Sequence, residues 1–453
     1  MKVKSLRIVV SSARKFINMG SLPRLWNLVK NFHAADISSI MDHFIIREKL
    51  TLFNVIYEKD KEKSAEVVSE LDPEDAALII QQLSLHQITE LFQIIPSDDI
   101  PPVLQLLPAE LQDAILSEME EEPSEEVKEL LHYEEETAGR IMSQDFYALN
   151  QNTNVSDAIT AMQLEGDVES SFYLYVVDDD FHLVGVVSLR RVLFSRPNTK
   201  LKEIMTSDVL FVHTDNDQEE VARSVAAYNL VAIPVLDTEN VLVGVVTVDD
   251  VIDVIDKEAT EDMYKMVSLD TSDRVQDSAF TSLKKRLPFL IFSLLTASLA
   301  PFVVNHFTET IEKFVTLAIF MPLVMALGGI AGNQTIAIIV REIALGQADW
   351  MTAKKALGKE LLVGIGNGLI IGVILAAVSY ALLQNPYMGL ILGLAIIINL
   401  FVAALLGTLI PLFLKLIKLD PALGSVNLLT MCTDSIGILS LFGLGTFFLK
   451  NLA

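Results

Sequence analysis

Five long apolar runs occupy the C-terminal part of this 453-residue chain, at 287–305, 314–340, 361–383, 388–414 and 423–449. Each supplies the ~20 residues needed to cross ~30 Å of hydrocarbon. In that solvent every backbone N–H and C=O must be satisfied within the chain, so the runs read as helices. A five-helix transmembrane domain over 284–453 follows. Loop charges orient it. With the preceding region cytoplasmic, the cytoplasmic flanks hold Lys284, Lys285, Arg286, Arg341, Lys354, Lys355, Lys359, Lys415 and Lys418, and the external flanks only Lys313 and Lys450. The positive-inside rule selects that arrangement and puts the C-terminus outside. Met1–Gly20 is basic but lacks a continuous apolar core, which argues against a cleaved signal peptide.

Charge divides the chain in the same place. It carries 34 Lys+Arg and 59 Asp+Glu; 11 and 7 of these lie from Lys284 onward, leaving 23 and 52 before it. So negative a soluble region disfavours nucleic acid as a partner and favours cations. The single cysteine, Cys432, excludes an intrachain disulfide and a Cys-based metal centre.

The soluble region has internal order. After a basic extension (1–24), residues 25–132 show apolar positions at three- and four-residue spacing, as in Ala76–Leu83, Ile88–Ile95 and Leu104–Leu116. Capping segments such as Leu71-Asp72-Pro73-Glu74-Asp75 and Pro96-Ser97-Asp98-Asp99 separate them. This predicts an all-α superhelical domain of short helices. Residues 133–260 hold a repeat. Ile141-Met142-Ser143 matches Ile204-Met205-Thr206, and Leu183-Val184-Gly185-Val186-Val187-Ser188 matches Leu242-Val243-Gly244-Val245-Val246-Thr247, 63 and 59 residues apart. The blocks resemble a tandem pair of CBS domains, an α/β module, at about 133–199 and 200–260. A connecting helix is expected over 261–283.

Asp434 is the only acidic residue well inside these spans, and its helix offers no basic partner before Lys450. A carboxylate in hydrocarbon needs a cation, water or a partner, which favours an ion pathway. Thr430, Thr433 and Ser435 add oxygens suited to a hard cation's hydration shell. The second span contains Gly328, Gly329, Gly332, Asn333 and Gln334, a pattern that suits close helix packing or a polar lumen. Asn367 and Asn399 read as interhelical hydrogen bonds.

The order of these parts resembles the MgtE-type magnesium channel family over nearly the whole chain. The matching residues are Tyr133–Met142, Arg286-Leu287-Pro288, Pro322 with Gly328–Gln334, and Leu419-Asp420-Pro421-Ala422 before Asp434. The resemblance implies a homodimer in the cell (inner) membrane whose second and fifth spans line a pore, with Asp434 holding hydrated Mg2+. It implies further that cytosolic Mg2+ bridges acidic residues and shuts the pore. The positions concerned are Asp217, Glu219, Asp250, Asp253, Glu258, Glu261 and Asp262, with Asp98 and Asp99 on the helical domain. Asn427 stands where the family has Pro, in the stretch that lines the pore with Thr430 and Thr433. Ile330 and Ala404 stand where it has Asn, and Asn229 where an acid is common.

A nucleotide pattern, Gly-x-x-Thr/Ser-x-x-Asp, is complete at Gly244, Thr247 and Asp250, whereas the first repeat has Arg191 in the Asp place. One ATP site at most is expected. No nucleophile–base set, P-loop or HExxH motif supports an enzyme. The competing readings within transport are a relative passing Co2+ or Mn2+, and a CBS-regulated sensor that no longer conducts.

Overall fold

The computed structural model describes residues 3–165, 172–273, 275, 278–346 and 350–448. It divides into two compact units, Met1–Ile255 and Asp256–Ala453.

The first unit begins with ten helices, from Val3–Asn18 to Glu121–His132. Asp60, Asp72 and Ser84 cap three of them by accepting backbone N–H groups, and Pro73 opens the helix after Asp72. Ala35-Asp36 lies inside the first turn of Ala34–Met41. Ile37, Leu52, Phe53, Ile79, Ile80 and Leu91 are fully buried in one continuous core. A buried ion pair between Lys49 and Asp75 ties two helices together beside that core.

The repeat appears as two three-stranded sheets. In the first, β1 (Tyr147–Asn150) runs parallel to β2 (Tyr173–Val177), which is antiparallel to β3 (Leu183–Ser188). In the second, β4 (Val212–His213), β5 (Ala232–Leu236) and β6 (Leu242–Thr247) repeat the order. The 59-residue offset recurs in the register: Tyr173 faces Ser188, and Ala232 faces Thr247. Each copy is completed by the other. Ser143 pairs with Val245, and Thr206 pairs with Val186. A Cβ on Gly185 would stand 2.6 Å from the Met205 sulfur, and one on Gly244 would stand 2.5 Å from that of Met142. The two matched sequence blocks therefore meet crosswise, methionine on glycine. Asn229 closes the helix Gln218–Tyr228 at φ +52°, a conformation that Asn tolerates better than other non-glycine residues.

The last helix of the second repeat runs on from Val248 to Met266, past the boundary between the units. The connecting helix expected over 261–283 is not continuous. Ser268 takes φ +56°, and the Leu269 N–H returns to the Tyr264 carbonyl, a helix-ending pattern. Asp270 then accepts from the Ser272 N–H in a tight turn. Helix resumes at Ala279, capped by Ser278. Within this stretch 274, 276 and 277 lie outside the described residues, as does the end of the span expected to reach 449.

Among its described residues the second unit contains five helices long and apolar enough to cross a membrane: Ala279–His306, Val315–Ala344, Thr352–Leu383, Pro386–Leu416 and Ser425–Phe447. The second, fourth and fifth pack around a core including Leu317, Val324, Ile391, Leu392, Ile396, Ile438 and Phe442. The third and fourth approach backbone to backbone: a Cβ on Gly372 would lie 2.8 Å from the Gly393 carbonyl oxygen, and one on Gly389 would lie 2.7 Å from that of Ala376. The third span starts earlier in sequence than expected, so Glu360 lies inside it. Asp434 is therefore not the only acidic residue within a span. Glu360 is buried and accepts a 3.1 Å hydrogen bond from the Thr335 hydroxyl.

Candidate ion pathway and acidic clusters

The helical period divides the Gly-rich segment of the second span into two faces. Gly328 and Gly332 turn inward, Gly328 against Asn399 of the fourth span and Gly332 against Leu429 of the fifth. Pro322, Ala326, Ile330, Asn333 and Gln334 are exposed on the opposite face, and a Cβ on Gly329 would meet nothing within 4 Å. Asn399 is fully buried and donates a 2.8 Å hydrogen bond to the Val324 carbonyl, the interhelical role expected of it. Gly437 of the fifth span backs onto the same amide. Gly328→Ala places a methyl 2.3 Å from the Asn399 amide nitrogen. The expected result is a loss of about 1–3 kcal/mol of stability, as is typical of overpacking, read as a lower melting temperature in detergent. Gly329→Ala should leave melting unchanged.

Asp434 is partly exposed on the fifth span, and no ion pair or hydrogen bond to it occurs among the described residues. Thr433 is fully buried, and its hydroxyl donates to the Leu429 carbonyl. Thr430 is partly exposed and donates to the Val426 carbonyl at 2.8 Å. Both hydroxyls use their protons on their own helix, so Thr430 presents oxygen lone pairs outward, whereas Thr433 faces the interior of the bundle rather than a pore. Asn427 donates a 3.1 Å hydrogen bond to the Ser268 hydroxyl, fastening the fifth span to the end of the connecting helix. Met266 packs beside Ile336, Val340, Ala422 and Leu429 at the same end. Ala404 is buried against Gly364, which leaves no room there for an amide.

The regulatory acids fall into separate groups. Within the first unit, Asp99 of the helical domain lies in the field of Asp249, Asp250 and Asp253, and Glu70 in that of Asp253 and Asp99. Burial is the main cause that raises the Asp99 and Glu70 carboxyls, and Asp253 raises both further. Burial also pushes Asp250 up to about 6, with Asp249 and Asp99 adding to it, although Thr247 donates to its carboxylate and opposes the rise. Asp98 neighbours Asp99 in the turn before helix Ile100–Leu104. Within the second unit, Asp262 is raised to about 6 by burial, then by Asp420 and Glu258. Lys265 bridges Glu261 and Asp420 there. Asp217 and Glu219 have other partners. Asp217 caps helix Gln218–Tyr228, and Glu219 pairs with Arg223 at 3.4 Å.

Among the described residues no three His, Cys, Asp or Glu side chains converge as they would around a bare metal ion. The sequence reading missed Glu70, Asp249, Glu360 and Asp420 as members of these sites. Asp420 stands in the quoted Leu419–Ala422 motif and Asp249 beside Asp250, so both were within reach; nothing in the pattern distinguishes Glu70. At the nucleotide positions, Gly244 is filled by Met142 and Thr247 is bonded to Asp250. A cavity of about 390 Å3 opens instead on the first repeat, lined by Ser188, Arg190, Arg191, Phe194 and Ser195.

A helical domain, a CBS pair and five apolar spans, one carrying a carboxylate with no partner among the described residues, together define a multi-pass membrane protein with a large N-terminal region before its spans. Profiles of known families agree part by part: the MgtE intracellular N domain over 32–136, CBS domains over 138–197 and 201–257, and the MgtE divalent cation transporter over 321–444. The magnesium transporter MgtE of Bacillus subtilis (strain 168) is 33% identical over 338 residues, covering 74% of this chain and 75% of that one. That of Thermus thermophilus is 35% identical over 317 residues, covering 69% and 70%. A crystal structure of the cytosolic domain of the Mg2+ channel MgtE in complex with ATP matches with a TM-score of 0.50 at 33% identity, covering 54% of this chain and 99% of that one. The chain belongs to the MgtE family of divalent cation transporters.

Proposed function

We propose that this protein is a Mg2+ channel or transporter of the inner membrane, closed from the cytosol by Mg2+ bound to its acidic soluble region. The observation that carries the reading is the outward polar face of the bundle. Asn333 and Gln334 are exposed on the surface of a single protomer, and Asp434 is partly exposed. Facing lipid, that face is costly; covering it with the same face of a second copy encloses a polar lumen. A homodimer with second and fifth spans at the pore satisfies this requirement. Asp434 then holds the ion through its water shell, since Mg2+ gives up water reluctantly. Mg2+ uptake into proteoliposomes, with Co2+ and Mn2+ as competitors, tests the reading; failure of Mg2+ to enter or compete overturns it.

The two acidic groups supply the feedback. Acids raised by burial and by one another disfavour their own apposition when ionised. A hydrated divalent ion between pairs relieves the repulsion without needing three converging ligands. Feedback requires only that Mg2+ bind the closed arrangement more tightly. Protons should act in the same direction. With the Asp250 and Asp262 carboxyls raised to about 6, the apposed arrangement is favoured below their ordinary range. That advantage is lost as pH rises through about 6. Limited proteolysis of the soluble region in chelator should therefore be slower at about pH 5.5 than at about pH 7.5. Added Mg2+ should remove the difference. Equal cleavage at both pH values sinks the gating assignment.

ATP is a second ligand to test, suggested by the ATP-bound cytosolic domain of the related channel. The Arg190–Arg191 cavity offers cations for phosphates and Phe194 for a base. Equilibrium dialysis with labelled ATP, and loss of binding in Arg191→Glu, would place the nucleotide there. Binding lost instead in Asp250→Asn would place it on the second repeat.

A further inference from the structure

The N-terminal helix has a face that neither the transport reading nor its regulation uses. The family profile begins at residue 32. Before it, the chain carries Lys2, Lys4, Arg7, Arg14, Lys15, Arg24 and Lys30 and no acid, in a protein of net charge −25. Helix Val3–Asn18 spends its apolar side on the fold: Val10 and Ala13 are buried, and Leu6, Val9, Phe16 and Ile17 pack against the same core. Arg14 is used too, holding Glu48 at 2.9 Å and the His43 carbonyl. What remains points outward. Arg7, Ser11 and Lys15 are exposed, with Ile8 65% and Met19 60% exposed beside them. Leu22 and Arg24 continue the patch onto the next helix. Among the described residues, Arg7, Lys15 and Arg24 have no acidic partner.

We propose that this patch docks on the anionic surface of the membrane that the chain itself spans. Two features select lipid. Exposed cations interleaved with large apolar side chains are the composition of interfacial helices, whose apolar groups enter the headgroup boundary while the cations meet anionic headgroups. The charge is also complementary to the cytoplasmic leaflet, and the rest of the soluble region, with its excess acid, is repelled by that leaflet. The apolar groups are few, so attachment depends on charge and is reversible. The acidic lipid headgroup is thus a second ligand class for a region otherwise built for cations. The proposal goes beyond the transport reading and holds whether or not Mg2+ is the ion carried.

The test uses the full chain in lipid nanodiscs, with Ser11→Cys in a Cys432→Ser background carrying an environment-sensitive fluorophore. In discs rich in phosphatidylglycerol the emission should shift to the blue, and high salt should reverse the shift by screening. In phosphatidylcholine discs no shift should occur. Arg7→Glu, Lys15→Glu and Arg24→Glu together should abolish it. The milder set Arg7→Gln, Lys15→Gln and Arg24→Gln should weaken it, which guards against misfolding of the first. Equal emission in both lipids overturns the proposal. So does a shift that survives charge reversal, or one in phosphatidylcholine that depends on protein concentration, which would mark a protein contact.

Discussion

Replacing Asp434 with Ala is expected to abolish most metal uptake while the protein still reaches the membrane and keeps its fold. The side chain is partly exposed and makes no ion pair or hydrogen bond among the described residues, so its removal breaks nothing in the bundle. Its effect falls on the ion. A carboxylate acting on a metal through bound water resembles an outer-shell partner, whose loss costs ~10- to 100-fold. Flux into proteoliposomes should fall by that order, with the melting temperature unchanged. Asp434→Asn should fall nearly as far, because the amide keeps the shape but loses the charge. Thr433→Val provides the contrast. Thr433 is buried and bonded to its own helix, so this change should alter flux little. Uptake by Asp434→Ala at the wild-type rate would remove the carboxylate from the pathway.

The second large effect concerns folding. Gly364, Gly368 and Gly372 recur every four residues along the third span, and Gly389 and Gly393 do so along the fourth. In lipid no hydrophobic force drives helices together, so close backbone approach supplies the association. A Cβ at position 372 collides with a backbone carbonyl, which cannot rotate away as a side chain can. Gly372→Val should therefore lower the yield of folded protein severely and shift melting by more than the ~1–3 kcal/mol of ordinary overpacking. Gly366→Val, on the same helix where a Cβ meets nothing within 4 Å, should be neutral. Thermal melting in detergent and in reconstituted lipid measures both. Equal behaviour of the two variants would show that the third and fourth spans do not rely on this seam.

The particular departures from the family pattern also gain physical meaning. Asn229 ends a helix in a left-handed conformation, and Ala404 fits against Gly364. Asn427 fastens Ser268, the residue at which the connecting helix stops. Ile330 remains on the outward face beside Asn333 and Gln334, where it makes the proposed lumen less polar. Ion selectivity measured on Ile330→Asn reads that difference directly.

Much of this molecule was legible in its sequence, because the signals concerned are local or strictly periodic. Apolar length fixes membrane spans, since the bilayer imposes a minimum run of residues. The 59-residue offset fixed the CBS repeat, and it reappears in the strand register. Asp434 and the Gly-Asn-Gln segment stand out in the sequence as polar groups within apolar runs. What the sequence could not supply were relations between distant residues. Whether Gly328 or Gly329 faces the bundle depends on helix rotation, which mean hydropathy along a uniformly apolar span does not report. That Met142 fills Gly244 of the other repeat follows from crosswise packing rather than from spacing. That Glu70 and Asp99 share a field with Asp253 follows from helices folded onto the second repeat from well over a hundred residues away. Glu360 stands just before the third apolar run of the sequence, but the helix begins earlier and brings Thr335 beside it. Sequence determined the solvent of each segment and the parts it would form. Only the tertiary structure decided which polar groups meet, because burial and mutual repulsion arise between elements and not along the chain.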